Sequence, residues 1–300
     1  MFMVPNGPGQ PNNYMEFIAN LTDLVKENRV AASRIDDATR RILRTKFESG
    51  VLEQKPVDTA LTTAIGSAAH RKVARECVRQ SLVVLKNENN TLPLSKKLKR
   101  VVVVGKAADD LGIQCGGWTI SWQGDSGKVT HGGTTILEAV RQIVSRDTVV
   151  TFSPDGSDVN GGDVALVVIG ESPYAEGKGD RTDLRLSSEG TALVNKVQES
   201  GLPVVTILLS GRPLIIDEAL KSSTSVIAAW LPGTEGGGVA DVIFGEAKAT
   251  GKLPRPWPCE PTTAAPEKVT SNTHLFEAGY GLEFKRSESA VSPIKTAQVK

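Results

Sequence analysis

The stretch from Gly161 to Asp183, GGDVALVVIGESPYAEGKGDRTD, sets two carboxylates, Glu171 and Glu176, on either side of Tyr174. Carboxyl side chains do general acid or base work when a fold holds them against a reacting group. These two stand just past Val164 to Ile169, an apolar run of buried-strand character. An open α/β sheet takes its ligands past the carboxyl ends of its strands, so chemistry is expected here. A polar, glycine-bearing loop also holds ordinary solvated acids, and the residues alone leave both readings open.

A second stretch, Ala107 to Gly133, is long and irregular and contains CGGWTISWQGDSGK. A structureless loop of this length in a compact domain is functional or disordered, and Trp118 and Trp122 argue against disorder because their rings need cover. Four residues apart in a glycine-rich loop, they can form a wall on which a pyranose stacks its axial C–H face. They can equally plug a groove between domains. Arg212 in the SGRP turn can hold a carboxylate or close a loop, and Glu235 in WLPGTEGGGVAD reads as a helix cap or tether. His70, His131 and His274 are isolated, with neither triad order nor metal-ligand spacing. Gly105 follows a strand, but GKAADDLG lacks the spacing of a dinucleotide fingerprint.

The elements that must position these residues follow from periodicity. Tyr14 to Glu27 has helical spacing, with Phe17, Ile18, Leu21, Leu24 and Val25 on one face. Ser33 ahead of Asp36 and Asp37 predicts the cap of a second helix, with Ile35, Ala38, Ile42, Leu43 and Phe47 on its apolar face and Gly50 at its end. Met1 to Pro5 resembles the tail of a strand. A third helix is expected from Ser67 to Leu85, with Ala74, Cys77 and Val78 on its buried side. Strands are expected near 101–104, 149–152, 164–169, 204–209 and 226–229. Helices are expected near 136–144, 188–199, 215–221 and 236–244. Such alternation indicates a mostly parallel sheet covered by helices on both faces.

Composition narrows the function classes. With 300 residues, 39% of them hydrophobic, the chain can bury a substantial core. Lysine and arginine number 35 against 34 acids, a net charge of +1, so there is no basic field for nucleic acid or an anionic membrane. Cys77, Cys115 and Cys259 are odd in number and widely spaced, which implies neither a disulfide framework nor structural zinc. No apolar run is long enough for a membrane helix, and the first residues do not read as a signal peptide. No cofactor is implied.

The strings MVP, RIDDATRRILRTKF, HRKVARECVRQSLVVLKNENNTLPL, CGGWTISWQG, GTTIL, GESPYAEGKGD, LLSGRP, AAWLPGTEGGGVADVIFGEAKATGKLPRPWP and LFEAGYGLEF occur in order from the start to about residue 284. Together they resemble glycoside hydrolase family 3, in particular β-glucosidases similar to plant β-D-glucan exohydrolases and their bacterial relatives. The resemblance implies an amino-terminal (β/α)8-type barrel followed by an (α/β)6 sandwich. On that basis 1–51 is the end of the barrel, with its last strand and helices, and 52–98 is a linker and entry helix. The sandwich is then 99–284 and a mobile tail 285–300.

The resemblance also implies a retaining hydrolase of terminal β-D-glucosyl residues. Glu176 falls at the acid/base position and Glu171 becomes a supporting neighbour of the turn. The aspartate nucleophile lies in a barrel motif that this chain does not contain. Trp122, with Trp118, corresponds to the wall of the aglycone subsite, and Met3 to an apolar residue lining the glucose pocket. The implied partners are a β-glucoside or β-glucan and the missing barrel, with no nucleic acid and no membrane. Family similarity suggests a secreted or periplasmic parent, and the chain by itself is expected to be inactive. The alternative is a non-catalytic α/β domain that binds carbohydrate or protein.

Overall fold

The computed structural model describes residues 2–53, 58–260 and 274–284. The chain divides after Thr63 into two compact units. The expected mobile tail, 285–300, lies outside the described residues.

The first unit contains two helices, α1 (Tyr14–Lys26) and α2 (Ala32–Glu48). Asn13 caps α1, its side chain accepting from the amides of Met15 and Glu16 at 2.9 and 3.0 Å. The expected Ser33 cap is corrected. Arg34 already donates its amide to the Ala31 carbonyl at 2.9 Å, so the helix begins at Ala32 with no side-chain cap and Ser33 sits inside its first turn. Gly50, at φ +68°, receives the chain after α2 in the left-handed conformation that glycine adopts most easily. Residues 2–5 are not a strand either, because a strand exists through ladder bonds and no neighbour among the described residues of this unit supplies them. Neither helix has a fully buried residue, and Ile18, Leu43 and Phe47 stand exposed.

The second unit begins with α3 (Ala68–Ser81), capped by Ser67, and β1 (Val83–Asn87). The expectation of one helix to Leu85 is corrected. Leu82 turns extended, and the run through Leu85 is buried as a strand antiparallel to the later strand Ser225–Trp230. Then follow β2 (Arg100–Val104), α4 (Leu111–Cys115), α5 (Ile136–Ile143), β3 (Val149–Ser153), β4 (Val164–Gly170) and α6 (Ser188–Gln198). The rest comprises β5 (Val204–Leu209), α7 (Asp217–Lys221), β6 (Ser225–Trp230), α8 (Gly236–Ile243), and a small hairpin of β7 (Trp257–Pro258) with β8 (His274–Phe276).

Six strands form one sheet in the order β1-β6-β5-β4-β2-β3, parallel except for β1. Strand residues alternate between two cores. Val101, Val103, Leu166, Val168, Ile207 and Ile227 pack with α3, α5 and α8 on one face. Val102, Val104, Val167, Leu208 and Val226 pack with α6, α7 and Trp257 on the other. Burial on both faces is why the strands read as unbroken apolar runs.

The inward side of α3 is also corrected. Ala74 and Cys77 are exposed, whereas Val78 is buried and an arginine stripe faces α8. Arg75 grips the Asp241 carboxylate with two bonds of 2.6 and 2.7 Å, and Arg79 adds a third at 2.7 Å. Arg71 pairs with buried Glu235 at 3.0 Å, so that acid is a tether. Gly238 lets the helices approach this closely, since a Cβ there would lie 2.7 Å from Val78.

Candidate active site at the carboxyl edge of the sheet

The carboxyl ends of β2 and β4 release the two loops that carry the candidate chemistry. After β2 come a short 3-10 turn and α4, so the expected irregular stretch is partly helical, and then the tryptophan loop. Asp110 organises this loop, its carboxylate accepting from the amides of Ile113 and Gly127 at 2.8 and 2.7 Å. Buried Gln114 ties the loop base to the rest of the edge through the Gly233 carbonyl at 2.9 Å and the Ile136 amide at 2.9 Å. The Trp118 amide closes the loop on the Trp122 carbonyl at 3.0 Å. The two indoles lie 6.4 Å apart, tilted by 53°, with Trp118 68% and Trp122 53% exposed.

Between them the backbone is strained. Trp118 and Ile120 adopt φ of +60° and +62°, a region that disfavours side chains branched at Cβ. Ile120 is itself exposed. Ile120→Asn is therefore expected to stabilise the protein by about 1 kcal/mol, because asparagine tolerates this conformation. A rise in the urea midpoint followed by circular dichroism is the expected result, and an unchanged or lower midpoint contradicts it.

After β4 the chain enters the two-carboxylate loop, and the structure separates its acids. Glu171 is nearly enclosed and fully engaged. It accepts from the Tyr174 hydroxyl at 3.0 Å and pairs with Arg181 at 3.1 Å and Arg212 at 3.5 Å. Arg212 donates to the Tyr174 oxygen at 2.8 Å and lies 4.1 Å above its ring, so it both holds a carboxylate and closes the loop. Glu176 is exposed, and among the described residues its carboxylate has no hydrogen-bond or ion-pair partner. Beside it opens a hollow of about 640 Å³, lined also by Tyr174, Arg212, Arg255 and His274.

The loop backbone explains how Glu176 is presented. Ala175 is buried, and its carbonyl accepts from the Gly179 amide at 2.8 Å, which closes a tight turn. Gly117 packs its backbone against the Tyr174 carbonyl, where any Cβ would collide. Gln123 reaches across from the tryptophan loop. Its carboxamide accepts from the Ala175 amide at 3.0 Å and donates to the Glu176 carbonyl at 3.2 Å. The structure thus brings Glu176 and Trp122 onto adjacent, bonded loops, with Trp118 beside them. Met3 belongs to the first unit, where it is 92% exposed on the rim of a hollow shared with Asn6, Asn13 and Phe17. Sequence reading misses Gln114 and Gln123; the one available signal is an amide side chain inside a glycine-rich turn.

Burial raises the Tyr174 phenol above its ordinary value; the Arg212 hydrogen bond opposes this and the Glu171 carboxylate adds to it. The folded state keeps that proton after the unfolded chain has lost it, so the stabilisation is complete below about pH 10 and disappears as pH rises through the folded value. Tyr174→Phe is therefore expected to flatten the loss of stability above pH 10, read from urea midpoints across the alkaline range. An identical alkaline slope in both proteins contradicts this. Among the described residues no group of histidines, cysteines and acids is arranged to hold a metal, and no helix is long and apolar enough to cross a membrane.

Comparison with known proteins agrees with this architecture. The description "Glycosyl hydrolase family 3 C-terminal domain" matches residues 82–284. The lysosomal beta glucosidase of Dictyostelium discoideum is 31% identical over 90% of the chain and 36% of its own length. The periplasmic beta-glucosidase of Salmonella typhimurium is 28% identical over 88% of the chain and 42% of its length. Among solved structures, a mutant of an exo-1,3/1,4-beta-glucanase from a Pseudoalteromonas species superposes with a TM-score of 0.81 at 36% identity, covering 97% of the chain and 49% of that protein. A Listeria innocua beta-glucosidase in complex with glucose gives 0.73 at 27% identity, over 88% of the chain and 40% of that protein. The chain thus spans less than half the length of these relatives. It belongs to glycosyl hydrolase family 3, of which it forms a carboxyl-terminal portion.

Proposed function

We propose that this chain is the sandwich side of an exo-acting β-glucosidase or β-glucan exohydrolase working with retention, and that Glu176 is its acid/base. The observation that carries this reading is the division of labour between the two acids. Glu171 is saturated by Tyr174, Arg181 and Arg212, whereas Glu176 is presented on a braced turn with its carboxylate uncommitted among the described residues. Trp122, with Trp118, forms the aglycone wall, and residues 1–51 are the end of a barrel in which Met3 lines the glucose pocket. The nucleophile is an aspartate of that barrel.

In the first step Glu176 gives its proton to the glycosidic oxygen as the bond to the anomeric carbon breaks and the nucleophile bonds to that carbon. In the second, Glu176 takes a proton from water as the oxygen of that water displaces the nucleophile. Retention requires the two carboxyl groups to stand about 5 to 5.5 Å apart. The chain by itself therefore lacks half of the pair. The similarity to enzymes described as periplasmic and lysosomal supports a parent that works in an exported or enclosed compartment.

The test is hydrolysis of phenyl β-D-glucoside by the full gene product, with the anomer released first read by proton NMR. The expected result is β-glucose, and no turnover by residues 1–300 alone. Release of α-glucose overturns the mechanism, and turnover by the isolated chain equal to that of the full product overturns the assignment of the nucleophile.

A further inference from the structure

The tryptophan loop and the Glu176 loop leave the sheet from different strands, so their relative position is set only by what crosses between them. Two of the crossings are packing contacts, Gly117 on the Tyr174 carbonyl and Gly124 on Pro173. The directional crossing is Gln123. Its oxygen accepts from the Ala175 amide at 3.0 Å and its nitrogen donates to the Glu176 carbonyl at 3.2 Å. A carboxamide is the side-chain group that accepts and donates side by side, and the reversed amide would face donor with donor and acceptor with acceptor. The inner knot of Glu171, Tyr174 and Arg212 pins the loop up to residue 174, and the pairing of Glu171 with Arg181 catches it again past the turn. Between those points residues 175–180 shape themselves by their own bonds, among them Gly179 to Ala175 and Lys178 to Glu176, and Gln123 is the side chain that ties this stretch to the tryptophan loop.

Gln123 is also the residue after Trp122, whose carbonyl accepts the bond that closes the tryptophan loop. The same few atoms therefore fix the aromatic wall and the acid. We propose that Gln123 is a positioning residue, holding the Glu176 carboxyl in one register with the Trp122 wall so that a stacked aglycone presents its oxygen to the acid. This inference rests on the reading of Glu176 as acid/base. Proton transfer needs heavy atoms within about 2.6–3.2 Å, and a displacement of about 1 Å lowers a rate up to about a hundredfold.

Two readouts test it, using Gln123→Ala and Gln123→Glu. In residues 1–300, hydrogen exchange of the Ala175 amide is expected to speed up about tenfold in Gln123→Ala, the weight of one hydrogen bond. It should stay slow in Gln123→Glu, which keeps the acceptor. In the full gene product, kcat/KM for phenyl β-D-glucoside, whose leaving group needs a proton, is expected to fall about 10- to 100-fold in Gln123→Ala. For 2,4-dinitrophenyl β-D-glucoside, whose leaving group departs unprotonated, it should hold within about threefold. Unchanged Ala175 exchange, or equal losses on both substrates, overturns the proposal. If the unmutated full product hydrolyses neither glucoside, the functional reading fails and the positioning role fails with it. Exchange at Ala175 then judges the grip of Gln123 on the loop by itself.

Discussion

Glu176→Gln is expected to lower kcat/KM of the full gene product for phenyl β-D-glucoside by about a hundred- to ten-thousandfold, the range that a positioned general acid contributes. The amide keeps the size of the side chain and has no proton to give the glycosidic oxygen. With 2,4-dinitrophenyl β-D-glucoside the same substitution is expected to change kcat/KM far less, because that bond breaks without protonation. The contrast between the substrates, read by release of the phenols, separates acid catalysis from general damage. Stability should be unchanged, since Glu176 is exposed and its carboxylate has no partner among the described residues. A loss of equal size on both substrates, or none on either, contradicts the role. Glu171→Gln should behave differently, weakening the knot with Arg181 and Arg212 and lowering stability together with activity.

The largest effect on stability is expected at Asp241, far from this chemistry. Its carboxylate is buried under α3 and takes three short bonds from Arg75 and Arg79. Removing one partner of a buried ion pair leaves the other charge without compensation, a loss of about 3 to 5 kcal/mol. The arginine side chains retain 42% and 32% exposure, so water partly rescues them and Asp241→Ala should fall near the lower end, at about 3 kcal/mol. All four tryptophans, Trp118, Trp122, Trp230 and Trp257, lie in the second unit, so urea unfolding followed by tryptophan emission reads that unit selectively. Replacing Arg75 and Arg79 by methionine in the Asp241→Ala background should restore part of the loss. A midpoint within experimental error of the unmutated protein would show that this ion cluster adds nothing to the hold on α3.

How far these features are legible in the sequence depends on the range of the interaction that makes them. The parallel strands β2, β4, β5 and β6 stand out because burial on both faces demands long apolar runs, a local signal, and the half-exposed edge strand β3 is legible from its β-branched residues. The strand β1 does not stand out, since Leu82 to Leu85 continues the apolar face of the preceding helix. Only its pairing with β6, more than a hundred residues away, makes it extended. Cys77 reads as inward because it is apolar beside Val78. The actual inward stripe of Arg71, Arg75 and Arg79 is determined by Glu235 and Asp241, which no local period reveals.

The candidate site divides in the same way. The position of Glu171 and Glu176 past β4 is legible from a strand followed by a polar loop. Their different states are not, because Arg212 arrives from the β5 edge to engage only Glu171. Gln123 is invisible for a similar reason, its partners being more than fifty residues on and both of them backbone atoms.

The most direct measurement of the central claim is product analysis of Glu176→Ala in the full gene product, with 2,4-dinitrophenyl β-D-glucoside as substrate and azide added. Without its base, the second step of a retaining reaction is slow, and a small anion that needs no deprotonation can take the place of water. The account predicts faster turnover on adding azide, with β-glucosyl azide as the product. Hydrolysis at the unmutated rate, with glucose as the sole product and no response to azide, would contradict it.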